Sequence, residues 1–254
     1  MSVSPHPKVL AVIPARYDSV RFPGKMVADL AGRPLVHHAY ARACEASLVD
    51  EVVIAADDDR IAQALAPFDA RVVMTSRDHA TGTDRVAEAA ARSDASIVVN
   101  VQGDEALIDP KVIDDTIRPL LREPEVAMST ACIAIDDPAR ALDPNVVKVV
   151  MNTRGHALYF SRAPIPHVRD AADRTASGTP CFQHIGLYVF RRDFLIAFAN
   201  LPQTPLEKLE RLEQLRALEH GYRIAVVETN YSCIGVDTPE DLEAVRRIIE
   251  AQGA

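Results

Sequence analysis

Short β-branched apolar runs alternate with stretches of helical spacing through the N-terminal part of the chain, and this alternation restricts the fold more than any other feature. The runs are KVLAVIP (Lys8 to Pro14), EVVIAA (Glu51 to Ala56), a shorter one from Ala70 to Met74, and SIVVNV (Ser96 to Val101). Between them, LVHHAYARACEAS after Arg33-Pro34, then Asp58 to Ala66 and Thr83 to Ser93, have helical spacing. A strand that is apolar at every position, rather than at every second one, is covered on both faces. Strand–helix alternation at this spacing predicts an α/β fold with a doubly wound, mostly parallel, Rossmann-like sheet. Ligands of such sheets sit beyond the carboxyl ends of the strands, where the strand order reverses.

The pattern changes near Val126. Segments 126–135, 146–151, 157–160 and 184–190 are β-like, with longer polar connections. They predict a smaller mixed-β insertion, at about 126–190, inside a single domain that spans 8–254 after a loose tail of residues 1–7. This insertion is expected to carry substrate contacts and a dimer face. Asp170 to Pro180 (DAADRTASGTP) is small and polar and reads as a mobile loop. Leu206 to His220 reads as one helix and Ile224 to Glu228 as a strand. Thr238-Pro239-Glu240-Asp241 opens a last helix with a capping residue, a first-turn proline and two acids on the helix dipole.

Composition narrows the function classes. With 28 Lys+Arg against 36 Asp+Glu, the formal net charge is -8, which argues against duplex nucleic acid as a partner but not against one nucleotide in a locally basic cleft. Cys44, Cys132, Cys181 and Cys233 form no CxxC pair, so neither a zinc motif nor a disulfide framework is expected. The N-terminal apolar run is too short for a signal peptide, and no segment reaches the length of a membrane span. These features predict a cytoplasmic protein acting on cytosolic metabolites, with no membrane partner.

Two loops concentrate the chemistry. Ala15 to Lys25 (ARYDSVRFPGK) follows the first strand and holds Arg16, Arg21 and Lys25, with Gly24 permitting close backbone approach. Such a set of donors suits a triphosphate, although a solvated basic loop has the same composition. Neither a Walker A pattern nor GxGxxG is present. Gln102-Gly103-Asp104-Glu105 follows SIVVNV, and Gly235-Val236-Asp237 precedes the last helix. Two carboxylates from distant segments could share one Mg²⁺, or each could serve its own helix or turn. Arg162 and Arg169 could bind a carboxylate or be surface charges. His184 could be structural, and Glu213 and Gln214 could lie on a solvated helix face. His37 and His38 are assigned no chemistry.

The motifs VIPARYDSVRFPGK, TSRDHATGTDRVAE, VVNVQGDEALI, NVVKVV, ALYFSRAPIP, HIGLYVF, LEKLERLEQLR and GVDTPEDLEAVR occur in this order. Together they resemble the CMP-Kdo synthetases, the 3-deoxy-manno-octulosonate cytidylyltransferases, from Val9 to Arg247. The resemblance implies a nucleotidyltransferase that couples CTP to the acid sugar Kdo for lipopolysaccharide synthesis, as a homodimer. It also implies phosphate contacts from Arg16, Arg21 and Lys25, cytidine contacts near Ala15 and Gln102, and a base and ribose loop at 78–84 with Gly82 close to the nucleotide. Asp104 and Asp237 match its paired Mg²⁺ ligands. Arg162, Arg169, His184, Tyr188, Glu213 and Gln214 match its sugar-binding set, with Arg169 facing the sugar carboxylate. Phe22 stands where the family usually has Leu, Ala106 where it usually has Pro, and the loop from Val168 to Pro180 matches poorly.

Overall fold

The computed structural model describes residues 7–19, 22–169 and 181–253. Arg21 and the proposed loop 170–180 lie outside the described residues. At the centre of the sheet is β1 (Val9–Ala15), flanked on one side by β4 (Glu51–Ala56) and on the other by β6 (Ile97–Asn100), both parallel to it. Its side chains alternate between two cores. Val9, Ala11, Ile13 and Ala15 join one buried cluster, and Leu10 and Val12 join the other. Helices cover both faces, which is why β1 is apolar throughout. On the first face lie α1 (Leu35–Cys44) and α4 (Pro110–Arg122), after α2 (Asp59–Leu65); on the second lies α3 (Gly82–Ala91).

With β5 (Val72–Met74) at one edge, β11 (Arg223–Glu228) at the other, and β7 (Val126–Ala134) and β10 (Phe182–Arg191) between β11 and β6, the full order is β11-β7-β10-β6-β1-β4-β5. The chain runs outward from β1 through β4 to β5 and then returns to β6 on the far side of β1. The reversal places the crevice beyond Ala15 and Asn100. Separately, the two-residue strands β2 (Asp29–Leu30) and β3 (Arg33–Pro34) pair as a small antiparallel ribbon.

The β-rich stretch is mixed, as expected, but it is not an appendage. β7 and β10 are inner strands of the main sheet. β10 runs antiparallel to both β6 and β7, the one reversed strand along the main path. Only β8 (Lys148–Met151) and β9 (Ala157–Ser161) stand off that path, after α5 (Pro138–Leu142). α6 (Arg192–Ala199) adds Phe194 and Phe198 to the second core. The single helix expected over 206–220 is two, α7 (Pro205–Glu210) and α8 (Gln214–Glu219). Arg211 separates them in the left-handed conformation, φ 54°, and buried Arg216 on α8 grips Glu207 on α7 through Nε at 2.9 Å and Nη2 at 2.6 Å. α9 (Pro239–Gly253) begins as predicted, with Asp241 N donating to Thr238 Oγ1 at 3.2 Å and Asp241 Oδ2 accepting from Thr238 N at 2.9 Å. Among the described residues, no helix is long and apolar enough to cross a membrane.

Candidate active site

Beyond the carboxyl ends of β1 and β6, three loops distant in sequence converge. Gly24 takes φ 71° and donates to the Tyr17 carbonyl at 3.1 Å, closing the first loop so that a 3₁₀ turn begins at Lys25. Lys25 Nζ donates to Asp104 Oδ2 at 2.7 Å and to Asp237 Oδ1 at 3.2 Å. The two aspartates, 133 positions apart, therefore share one cation. Val236 N donates to the Asp104 carbonyl at 3.1 Å and fixes their loops to each other. Gly103 has no room for a side chain: a Cβ would lie 3.0 Å from Met26 Sδ and 3.2 Å from the Pro14 carbonyl.

A third, smaller apolar cluster backs this convergence. Leu30, Leu35, Ala106, Val236, Leu242 and Val245 are buried in it, with Phe22 packed against them. These residues lie on both sides of Lys25, follow Asp104 and adjoin Asp237, so packing sets the spacing of the charged groups. Both departures from the family pattern, Phe22 and Ala106, fall in this one cluster; the larger apolar side chain and the smaller one share a single packed volume.

Cations on the β4 side are held by a different carboxylate. Asp57, just past β4, accepts from Tyr17 N at 2.9 Å and from Arg85 Nη2 at 3.2 Å, and lies 3.7 Å from Arg16 Nε. Arg85 is 2% exposed, and burial lowers its pKa; Thr75 Oγ1 and the Ser76 carbonyl accept its other donors. Arg16 Nη2 also donates to the His79 carbonyl. Asp58 is held well below the usual carboxylate range by its hydrogen bonds from Arg60. Asp57, Asp58 and Arg85 were not among the expected site residues. The rule that singled out Asp104, a polar residue past a parallel strand's carboxyl end, applies equally to Asp57.

The 78–84 segment ends in α3, whose first turn is a capping box: Asp84 N donates to Thr81 Oγ1 at 3.1 Å and Thr81 N to Asp84 Oδ2 at 3.0 Å. Gly82 is exposed, and a Cβ there would touch the Pro14 ring at 3.5 Å. Gln102 Nε2 reaches buried Asn100 Oδ1 at 3.4 Å. Ala15 is buried as the last residue of β1, so its backbone forms the near edge of this floor.

Across the cleft, β10 and α8 present residues expected from the sequence to meet the sugar. His184 Nε2 pairs with Thr130 Oγ1 at 2.9 Å, and burial lowers the ring's pKa to about 3, so it is neutral. Its ring centroid lies 5.4 Å from that of Tyr188, whose OH donates to Gln214 Oε1 at 3.3 Å. Burial raises the pKa of both Tyr188 and Glu213. Thr83 Oγ1 donates to Glu213 Oε2 and joins α3 to this group. Glu213 Oε1 and Gln214 Nε2 are buried with no hydrogen-bond partner among the described residues. The solvated-face alternative for these two side chains is thus corrected: the break at Arg211 turns them inward.

Arg162 is placed differently. Its Nε donates to the Glu210 carbonyl at 2.8 Å and its Nη1 to the Pro144 carbonyl at 3.0 Å, so it clamps α7 to the β8–β9 region. Buried Lys148, unassigned in the sequence, donates to the Arg162 carbonyl at 2.6 Å. Arg169 is exposed, and no contact among the described residues ties it to the His184–Gln214 group.

Comparison with known proteins agrees with this geometry. The cytidylyltransferase family model matches residues 10–224. A 3-deoxy-manno-octulosonate cytidylyltransferase of Solibacter usitatus is 54% identical over 96% of this chain and 95% of its own length. That of Geobacter sulfurreducens is 58% identical over 93% and 97%. The chain belongs to the 3-deoxy-manno-octulosonate cytidylyltransferase family. Among solved structures, CMP:2-keto-3-deoxy-manno-octonic acid synthetase complexed with CTP superposes with a TM-score of 0.91 at 41% identity, over 96% of this chain and 99% of that one. A 4-diphosphocytidyl-2C-methyl-D-erythritol synthase from Anaerococcus prevotii shares the fold, with TM-score 0.64 at 14% identity, over 96% and 99%.

The fit of the divalent metal that the sequence resemblance implies can be judged from the donor set. Asp104 and Asp237 present hard carboxylate oxygens to one point, where an ammonium already lies within 3.2 Å of both. No group of three or more His, Cys, Asp or Glu ligands occurs among the described residues. A cation that takes two carboxylates and completes its shell with phosphate oxygens and water, as Mg²⁺ does, suits this pair.

Proposed function

We propose that this chain transfers CMP from CTP to the anomeric 2-hydroxyl of 3-deoxy-D-manno-octulosonate (Kdo), giving CMP-Kdo and pyrophosphate. The sugar oxygen forms a bond to the α-phosphorus and gives up its proton to water, as the bond from that phosphorus to the bridging oxygen of the β-phosphate breaks and pyrophosphate leaves with the bonding pair. The observation that carries this reading is the meeting of Lys25, Asp104 and Asp237 at the strand ends, opposite the Tyr188–Glu213–Gln214 group. One side attracts phosphates and the other holds unspent hydrogen-bonding capacity for hydroxyls.

Arg16 and Lys25 attract the phosphates, and Arg21 of the same loop adds to them. Ala15, Gln102 and Gly82 border the space for the nucleoside. Asp104 and Asp237 would hold Mg²⁺, which would supply positive charge to offset that of the phosphates. Tyr188, Glu213 and Gln214 orient the sugar, while neutral His184 supports Tyr188 by ring packing. Arg169 serves the sugar carboxylate, and Arg162 shapes the sugar side by holding Glu210. Most of the acceleration then comes from positioning and preset charge.

We further assign the reaction to the cytoplasm, with its product destined for lipopolysaccharide synthesis, and infer a homodimer. Exposed Leu142, Leu158 and Leu209 lie on α5, β9 and α7, elements tied together through Arg162; sedimentation at micromolar concentration tests the dimer. A pyrophosphate-release assay with CTP, Mg²⁺ and a panel of Kdo, 8-amino-Kdo and sialic acid tests the reaction. Release with Kdo is expected, and release only with sialic acid would overturn the substrate.

A further inference from the structure

Lys25 stands in an unexpected place for a phosphate ligand. Its side chain is 8% exposed and its ammonium lies between the two carboxylates proposed to hold metal, 2.7 Å from one and 3.2 Å from the other. The position is built rather than incidental. Gly24 in the left-handed region turns the chain into the 3₁₀ segment, and the cluster of Phe22, Ala106 and Val236 holds all three loops behind it.

An ammonium and a divalent cation seek the same oxygens here. Two like charges cannot both sit at contact distance from that pair without strong mutual repulsion in a partly desolvated site. We propose that Lys25 is the resident counter-ion of the Asp104–Asp237 pair in the free protein. The pair then takes up a divalent cation only when nucleotide phosphates draw the ammonium away. This rests on the reading of the two aspartates as metal ligands.

The inference assigns Lys25 two successive partners. In the free protein it neutralises two carboxylates that would otherwise repel across the cleft and part their loops. With nucleotide present, the phosphates offer the ammonium another set of negative oxygens, and the carboxylates pass to the metal. Metal and nucleotide binding are then coupled, and linkage requires the coupling to be equal in both directions.

The test is a Mn²⁺ titration followed by electron paramagnetic resonance, with and without the α,β-methylene analogue of CTP. It uses the full-length wild type, Lys25→Met, Asp104→Asn and the double variant. Wild type should bind Mn²⁺ weakly alone and roughly tenfold or more tightly with the analogue. Lys25→Met should bind Mn²⁺ alone roughly tenfold more tightly than wild type, and the double variant should lose that gain. The analogue should then strengthen Mn²⁺ binding less in Lys25→Met than in wild type. Lys25→Gln, uncharged and polar, gives the same reading should the Met variant fail to fold by circular dichroism. Unchanged or weaker Mn²⁺ binding by the uncharged variants would overturn the proposal. If instead Asp104→Asn left Mn²⁺ binding with the analogue intact, the metal assignment itself would fail.

Discussion

At the ends of β1, β4 and β6 the cations of the cleft already face carboxylates: Arg16 and Arg85 meet Asp57, and Lys25 meets Asp104 and Asp237. At β10 and α8, by contrast, buried Glu213 Oε1 and Gln214 Nε2 make no hydrogen bond among the described residues, the nearest cation to Glu213 Oε1 being Arg216 Nη2 at 3.7 Å. The first region is balanced within itself, and in the proposed reaction it would bind a charged ligand by exchanging partners. The second is left incomplete by the protein and would bind a hydroxyl array by being completed. A buried polar atom without a partner is costly, so a ligand that satisfies it gains both affinity and selectivity. Thr83, on the first side, donates to Glu213 on the second and links the two.

Breaking the balanced side should have the largest effect. Asp104→Asn leaves Lys25 with one carboxylate and the metal with one, and turnover should fall on the order of 10³-fold while the circular dichroism spectrum is unchanged; near-normal pyrophosphate release would refute the assignment. Arg85→Met should cost roughly 3–5 kcal/mol of stability, because Asp57 would remain buried with its hydrogen-bonded cation removed and only Arg16, at 3.7 Å, left beside it. Urea denaturation measures this, and a loss below 1 kcal/mol would show that the pair is solvated.

The incomplete side should respond more mildly and more selectively. Gln214→Ala should raise KM for Kdo roughly ten- to a hundredfold, from the cost of one unmet buried hydrogen bond, and leave KM for CTP near its wild-type value. Equal changes in both constants would erase the distinction between the two sides. The smallest effect concerns His184. Burial lowers its pKa from 6.5 to about 3, so the unfolded chain binds a proton that the folded chain refuses between those values. Stability should therefore fall as pH drops from 6.5 toward 3, with no contribution from this group above that window. His184→Gln should lose less thermal stability than wild type between pH 7 and pH 5, and an identical loss would show that the ring is not shielded.

Local pattern carried much of this into view. The apolar runs at 8–14, 51–56 and 96–101 become β1, β4 and β6 within a residue or two, because burial on both faces leaves no polar position to confuse the period. Asp104 was legible as an acid past a strand end, and Asp237 as an acid ahead of the last helix, although β11 ends well before it at Glu228. The break at Arg211 was not, since LEKLERLEQLR has good helix formers throughout and the interruption is imposed by the buried Arg216–Glu207 pair. Asp57 was passed over beside Asp58 and Asp59, where an acidic run reads as a helix start.

By itself, then, the sequence determined the strand and helix periods, the glycines at tight turns and the family, since all of these are written in residues close together along the chain. Only the tertiary structure decided that Lys25 lies on both aspartates, that Thr83 reaches Glu213 and that Arg162 clamps backbone carbonyls. Those contacts join residues 25, 104 and 237, or 83 and 213, whose proximity follows from the reversal of strand order about β1 and from the packing of Phe22, Ala106 and Val236. No local propensity encodes such a distance; it emerges when the sheet closes its two cores.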